Sequence, residues 1–233
     1  MFMGIAEIAG LMLSRSQQRV EIMAQNMANM TTPGFKSYRQ FSDFMPSDET
    51  SSTESSPRMT ADFTAGKLIN TGNAFDLAVS GSGFFVVRSD SGTFYTRNGQ
   101  FNRNADGDLV TPGGMILQAN TGDVTVSGPD VKILSDGTVM DGGQPVAKLA
   151  IADVKDPQTL QPIGADLFST SGDAVTDVAS PIIRQGMLEA SNVSAADEMV
   201  SMMSALRSAE SGQHLIQLYD DLMGRVLTTF GQS

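Results

Sequence analysis

The residues of this sequence able to do chemistry are few and poorly spaced for it. Cysteine is absent, which removes disulfides, thiolate metal sites and thiol nucleophiles. The single histidine, His214, is the only candidate base for a serine triad, and one imidazole does not make a histidine metal cluster. It lies in a helical pattern one turn before Leu218, where a place at the rim of a packed face accounts for it without catalysis. Asp220 and Asp221 are neighbours in sequence, but adjacent helical residues point in different directions, so they do not form a facing acid–base pair. Asn102-Arg103-Asn104-Ala105-Asp106-Gly107 places oxygen ligands at alternate positions with a glycine sixth, as a calcium loop does. The twelfth position, which requires a bidentate acid, is Gly113, and the flanks are β-like, so a hairpin turn is the better reading. Gly81-Ser82-Gly83 leads into Phe84-Phe85, a strand, where a dinucleotide fingerprint needs a helix. No catalytic constellation, metal site or cofactor site is expected.

Composition narrows the partners. A formal net charge of -11 argues against nucleic acid or an anionic lipid surface as the main partner. With 40% hydrophobic and 18% charged residues the chain is globular, and 233 residues suffice for a substantial core in one domain or two. No apolar run reaches the roughly 18 residues of a membrane span, so direct membrane insertion is not expected. Met1 to Leu13 is apolar enough to suggest a secretory signal, yet it carries Glu7 and no basic residue before Arg15. A signal needs a positive leading region, so this stretch reads as a helix that stays on the mature protein.

The elements that must position any site are two long helices. From Ser194 to Phe230, Met199, Met202, Leu206 and Ala209 recur in steps of three and four. After Gly212 the stripe resumes as Leu215, Tyr219, Leu222 and Val226, widened by Ile216, Leu218, Met223, Leu227 and Phe230. This is an amphipathic helix about 50 Å long at 1.5 Å per residue. Ser194 with Asp197 resembles a capping box and places its start. At the other end, Ala6, Ala9, Leu13, Ser16, Val20, Met23, Met27 and Met30 keep the same period, and Pro33 with Gly34 predicts a stop near Thr31. Sustained apolar heptads predict coiled-coil-like pairing of the two helices. Either they pair and bury both stripes, or the stripes exceed one pair and are completed by other subunits.

Between the helices the texture changes. Phe35, Tyr38, Phe41 and Phe44 are spaced three apart, as in a short helical turn or an extended strip, and Pro46 to Thr60 reads as a loop. From Ala65 to Pro181, short β-prone runs (Asp76–Val79, Phe84–Val87, Thr93–Thr96, Met115–Gln118, Val124–Val126, Val131–Leu134, Thr138–Met140, Val146–Ile151) alternate with Ser91-Gly92, Asn98-Gly99, Asp106-Gly107, Thr121-Gly122, Asp136-Gly137 and Asp141-Gly142. Such dipeptides suit tight hairpins, predicting an antiparallel sandwich-like or barrel-like domain. The fold class is α+β: terminal helices over 1–35 and 186–233, a linker or extended segment over 36–64, and an inserted all-β domain over 65–185.

Three blocks together carry a resemblance. The first is Met23-Ala-Gln-Asn26-Met-Ala-Asn29-Met-Thr-Thr-Pro-Gly34-Phe35-Lys36. The second is Gly66-Lys-Leu-Ile-Asn-Thr-Gly-Asn-Ala-Phe-Asp76-Leu-Ala-Val-Ser-Gly81-Ser-Gly83-Phe84-Phe85, continuing as Tyr95-Thr96-Arg97-Asn-Gly99-Gln-Phe101 and Gly107-Asp-Leu-Val-Thr111. The third is Gly186-Met-Leu-Glu-Ala-Ser-Asn192-Val193 followed by Glu198-Met199. In this order they resemble the conserved blocks of the flagellar rod and hook proteins, with Gln25 replacing the first Asn of the family pattern. The short chain with one β insertion is most similar to a proximal-rod member. Distal-rod members are usually longer, and hook proteins carry further β insertions. The Met-Phe-Met-Gly opening and the Ser47–Ser56 stretch depart from the pattern.

The resemblance implies a structural subunit of the basal-body rod, in the periplasm, exported by the flagellar type III apparatus and assembled with other rod subunits into a helical tube. The expected seam uses Val20, Met23, Met27 and Met30 from the first helix, and Met199, Met202, Leu206, Leu215, Tyr219 and Leu222 from the second. In the free chain the helices are expected to fray, with the β domain outside the tube's helical layer. Asn26 and Asn29 are expected to hydrogen-bond at the helix end, and Arg97 and Asp76 to tie strands to turns. Two other classes are carried beside this one: a secreted β binding module with oligomerising helices, and a hydrolase using Asp106, Asp108 or His214.

Overall fold

Ser194 starts the longer helix as its sequence predicts. The Asp197 N–H donates to Ser194 Oγ at 3.4 Å and the Glu198 N–H to the Ser194 carbonyl at 3.0 Å. The two acidic residues of that first turn, Asp197 and Glu198, favour the positive end of the helix dipole. A computed structural model describes residues 5–41, 58–128, 130–156, 159–164, 166–170, 175–178 and 180–230, with the side chains of 5, 6, 41, 58 and 226–230 outside the description. Phe44, most of the Pro46–Thr60 loop, and the side chains of Ala6, Phe41, Val226, Leu227 and Phe230 therefore lie outside the described residues. The chain divides into a helical unit (Met1–Ala28, Tyr38–Met59, Ser194–Ser233) and a β unit (Asn29–Ser37, Thr60–Val193).

The helical unit holds α1 (Ile5–Ala28) and α2 (Ala195–Phe230). α1 stops before the expected Thr31 because the chain turns at Asn29, whose carbonyl accepts the Thr32 N–H at 3.1 Å. The helices pack on each other and run antiparallel: Gly212 of α2 lies against Ala9, Met12 and Leu13, and Glu198 meets Asn26 at the other end. A short ribbon pairs β1 (Tyr38–Phe41) with β2 (Arg58–Ala61).

In the β unit the strands follow as β3 (Leu68–Asn70), β4 (Leu77–Val79), β5 (Phe84–Ser89), β6 (Gly92–Thr96), β7 (Asn102–Arg103), β8 (Leu109–Val110), β9 (Ile116–Ala119) and β10 (Gly122–Asp123). The rest are β11 (Val131–Ile133), β12 (Thr138–Asp141), β13 (Gln144–Lys148), β14 (Ile151–Val154), β15 (Gln161–Pro162), β16 (Leu167–Ser169), β17 (Val175–Asp177), β18 (Ile183–Gln185) and β19 (Met187–Glu189). The main sheet runs β15-β16-β6-β5-β9-β8-β7, with β14 and β10 joined to it and β17 on β14. β11-β12-β13, β18-β4 and β19-β3 form smaller sheets. The registered pairs are antiparallel, as the hairpin signals imply. The barrel-like expectation is corrected: among the described residues the main path ends without closing at β15 and β7, edge strands of two residues each that offer few pairing groups to a further strand. The predicted strand over Val124–Val126 is replaced by the brief β10, and the run over Val146–Ile151 is split between β13 and β14.

β5 is the hub. It pairs with β6 along one edge and with β14 and β9 in succession along the other. Alternation sends its side chains to opposite faces. Phe85 and Val87 enter a core with Leu77, Phe101, Leu117 and Ile151, while Phe84 enters a second cluster with Val154, Leu160 and Phe168. Turn chemistry holds at Asp106-Gly107, Asp136-Gly137 and Asp141-Gly142, all with positive φ at glycine. Asn98-Gly99 is the exception. Gly99 is not in the left-handed region; a Cβ there would lie 1.6 Å from the Leu77 carbonyl oxygen, so the glycine permits backbone contact instead of a hairpin.

These contacts give opposite signs to two glycine replacements. A Cβ at Gly212 would sit at ordinary van der Waals distance, 3.5 Å from the Ala9 carbonyl, so Gly212→Ala is expected to stabilise α2 by about 0.5–1 kcal/mol. Gly99→Ala is expected to destabilise the β unit strongly. Thermal melts followed by circular dichroism check both signs.

Candidate assembly interface

The α1 side of the helix pair is the predicted stripe. Ala9 and Ser16 are buried, with Leu13, Val20, Met23 and Met27 half-buried along the same row. Met30 lies beyond the helix, exposed on the turn that belongs to the β unit. On α2 the row facing α1 is Glu198, Met202, Ala205, Ala209, Gly212, Ile216 and Tyr219, all half-buried or buried. Ala205 and Gly212 were not among the expected seam residues. Their signal was the unbroken four-three spacing they complete, hidden by their small size.

The predicted α2 stripe is therefore divided. Met202 and Tyr219 face α1, whereas Met199 (51% exposed), Leu206 (48%), Leu215 (40%) and Leu222 (60%) face away. At about 100° per residue, Met199 and Leu206, with Met203, project roughly 80–140° to one side of the seam. Leu215 and Leu222, with Leu218, project roughly 100–160° to the other side. Of the described residues in the row that resumes after Gly212, Tyr219 returns to the seam, whereas Leu215 and Leu222 lie on a different face. Ala205, Ala209 and Gly212 fill the middle of the α2 row between Met202 and Ile216, and the exposed large apolar groups on the flanks are joined on α1 by exposed Ile8, Leu11 and Met12.

One polar joint fixes the Asn26 end of this pair. The Asn26 amide donates to the Tyr38 carbonyl at 2.9 Å and accepts the Tyr38 N–H at 2.8 Å, imitating a β-pairing partner. Its Nδ2 also donates to Glu198 Oε1 at 3.0 Å. Asn26 and Tyr38 are both buried, and the amide side chain pairs with both the N–H and the carbonyl of that buried peptide.

The remaining motif residues converge inside the β unit. Lys36 Nζ donates to Glu189 Oε1 at 2.6 Å and to the Thr64 carbonyl at 2.8 Å. Arg97 meets Glu189 Oε2 at 3.3 Å, donates to the carbonyls of Val79 and Gly81, and lies 5.2 Å over the Phe84 ring. Asn192 accepts the Ser37 N–H at 2.7 Å and donates to the Asp62 carbonyl at 2.7 Å. Gly34 has φ +70° and its would-be Cβ lies 2.3 Å from the Arg97 carbonyl carbon; its N–H donates to the Glu189 carbonyl at 2.7 Å. Asp76 accepts from Asn73, Thr96 Oγ donates to the Asp166 carbonyl, and Asn29 accepts from Thr32. Gly83 packs under Ile151, Phe101 lies edge-on to the buried Phe85, and Phe35 is itself fully buried. Lys36, Ser37 and Tyr38 are thus buried residues within the segment read as the start of a linker or extended segment.

None of this arrangement is catalytic. Asn104 and Asp108 close the β7–β8 turn on each other, and His214 is exposed on α2. No group of three His, Cys, Asp or Glu able to hold a metal occurs among the described residues. No described helix is long and apolar enough to cross a membrane.

Two buried cations share one carboxylate. Burial pushes the Lys36 ammonium below its ordinary value, against the opposing pull of Glu189. The unfolded chain then holds that proton more tightly, so Lys36 adds stability as pH rises from its lowered folded value toward 10.5. Lys36→Met should abolish this alkaline gain in denaturant titrations, because Arg97 and Glu189 remain balanced. Glu189→Gln leaves two cations facing each other and should cost about 3–5 kcal/mol, well above the Lys36→Met loss.

Three family models match the chain: "Flagella basal body rod protein" over residues 12–36, "Flagellar hook protein FlgE/F/G D1 domain" over 78–141, and "Flagellar basal body rod FlgEFG protein C-terminal" over 184–229. Among curated relatives, the flagellar basal-body rod protein FlgF of Caulobacter vibrioides is 34% identical over 84% of this chain and 84% of its own length. The rod protein FlgG of Agrobacterium fabrum is 30% identical over 92% of this chain and 95% of its own. FlgF of Mesorhizobium japonicum is 27% identical over 92% of each. Sequence blocks, helix pair and β unit lead to one conclusion: this chain belongs to the flagellar basal-body rod protein family, a structural subunit and not an enzyme.

Proposed function

We propose that the helical unit joins this subunit to its neighbours in the rod, the paired helices extending by coiled-coil-like packing onto those of adjacent rod subunits. The observation that carries the reading is the surplus of large apolar groups on α2. Leu218 and Leu222, each 60% exposed, and Met199, Met203 and Leu206 lie on two flanks of a seam already filled by α1. Burying one such side chain contributes roughly 1.5–3 kcal/mol. Two flanks at different ends of a helix meet different surfaces of a neighbour, which is a heterologous contact that continues instead of closing. The subunit acts in the periplasmic part of the basal body after export by the flagellar type III apparatus, and its partners are other rod subunits.

Within the family, the proximal-rod assignment is favoured over a distal-rod, FlgG-like one by length. The alignment with FlgG of Agrobacterium fabrum spans 251 positions, more than the 233 residues of this chain, whereas that with FlgF of Caulobacter vibrioides spans 216. The FlgG relative carries segments that this chain lacks.

Leu206→Asp tests the reading. Leu206 is 48% exposed and outside the α1 seam, so the monomer's melting temperature should change little, within the ±0.5 kcal/mol of ordinary surface substitutions. In cells lacking the native gene, the variant should fail to build rods and to restore swimming. Normal rods would refute the assembly role of this flank.

A further inference from the structure

The chain has 15 methionines and no cysteine, so its thioethers are the only sulfur that an oxidant meets. Their surroundings differ sharply. Met23, Met27 and Met202 are half-buried along the α1–α2 seam. Met199 and Met203 are 51% and 53% exposed, one helical turn apart on α2, beside exposed Leu206. Susceptibility of a thioether to a peroxide follows its access to solvent.

We infer that Met199 and Met203 form a reversible oxidation site that controls subunit assembly. The inference rests on the reading of this flank as an assembly surface. In each step the thioether sulfur attacks one oxygen of a hydroperoxide. An S–O bond forms, the O–O bond breaks, the sulfur is oxidised by two electrons, and the peroxide leaves as water or an alcohol. The product is a sulfoxide, polar and chiral where the flank had been apolar. Packing it against an apolar neighbour buries an acceptor without a donor. The contact repeats in every subunit, so the penalty recurs along the whole assembly. A thiol-dependent sulfoxide reductase reverses the change.

The test uses the full-length unassembled chain and a limited dose of hydrogen peroxide. Peptide mass spectrometry should find sulfoxide at Met199 and Met203 before Met23, Met27 or Met202. The oxidised chain should need at least about tenfold more protein to polymerise, the equivalent of about 1.4 kcal/mol per subunit. Treatment with a methionine sulfoxide reductase should restore the original threshold. The Met199→Leu/Met203→Leu double variant has no thioether at either position, while Met12, Met30, Met59 and Met223, 41–46% exposed, remain, so peroxide should raise its own polymerisation threshold less than it raises that of the wild type. Unimpaired polymerisation of wild-type chain carrying both sulfoxides overturns the proposal, as does equal loss in the double variant. Failure of the untreated chain to polymerise, or normal polymerisation of untreated Leu206→Asp, refutes the assembly surface itself and is seen before any oxidant is added.

Discussion

Everything about the helical unit follows from how small its seam is. α2 meets α1 through Ala205, Ala209 and Gly212, and α1 answers with Ala9 and Ser16. Small side chains let two helices approach closely, but they remove little apolar surface from water. Met202, Ile216 and Tyr219 remain in the seam, while Met199, Met203, Leu206, Leu215, Leu218 and Leu222 lie on the flanks. A pair built this way is held together modestly and offers much to a neighbour. Its polar anchor is the buried Asn26, which ties β1 to α1 and reaches Glu198.

The β unit has the opposite character. Its core is filled by Phe85, Phe101, Leu77 and their neighbours, and β5 is bonded along both edges. The segments that lead to the helices are fastened to each other within it: Gly34 donates to the Glu189 carbonyl, and Asn192 holds Ser37. Lys36, Arg97 and Glu189 complete the fastening with buried charge. Such a cluster is a poor source of net stability but penalises any arrangement that leaves one member unpaired. Its part is to define where the chain leaves the β unit, and Arg97 and Asp76 act there as structural ties.

Much of this was legible from the residues. Period gave both helices, Ser194 gave the start of α2, and the Asp-Gly pairs gave hairpins, because each is a local preference that tertiary packing did not override. What escaped was set by contacts distant in sequence. Asn98-Gly99 reads as a hairpin turn, yet the glycine answers to Leu77, more than twenty positions earlier. The stretch from Lys36 reads as a linker or extended segment, and what its residue types do not announce is the buried ion pair of Lys36 with Glu189. The α2 seam went unseen because hydrophobic periodicity weights large side chains, and the closest helix contact is made by the smallest ones.

Amide hydrogen exchange on α2, compared between the free chain and assembled rods, addresses the central claim most directly. If the flanks are completed by neighbours, residues 213–225 exchange rapidly in the dilute free chain and become protected on assembly, while β5 stays protected in both. Full protection of α2 in the dilute free chain, unchanged by assembly, would contradict the account.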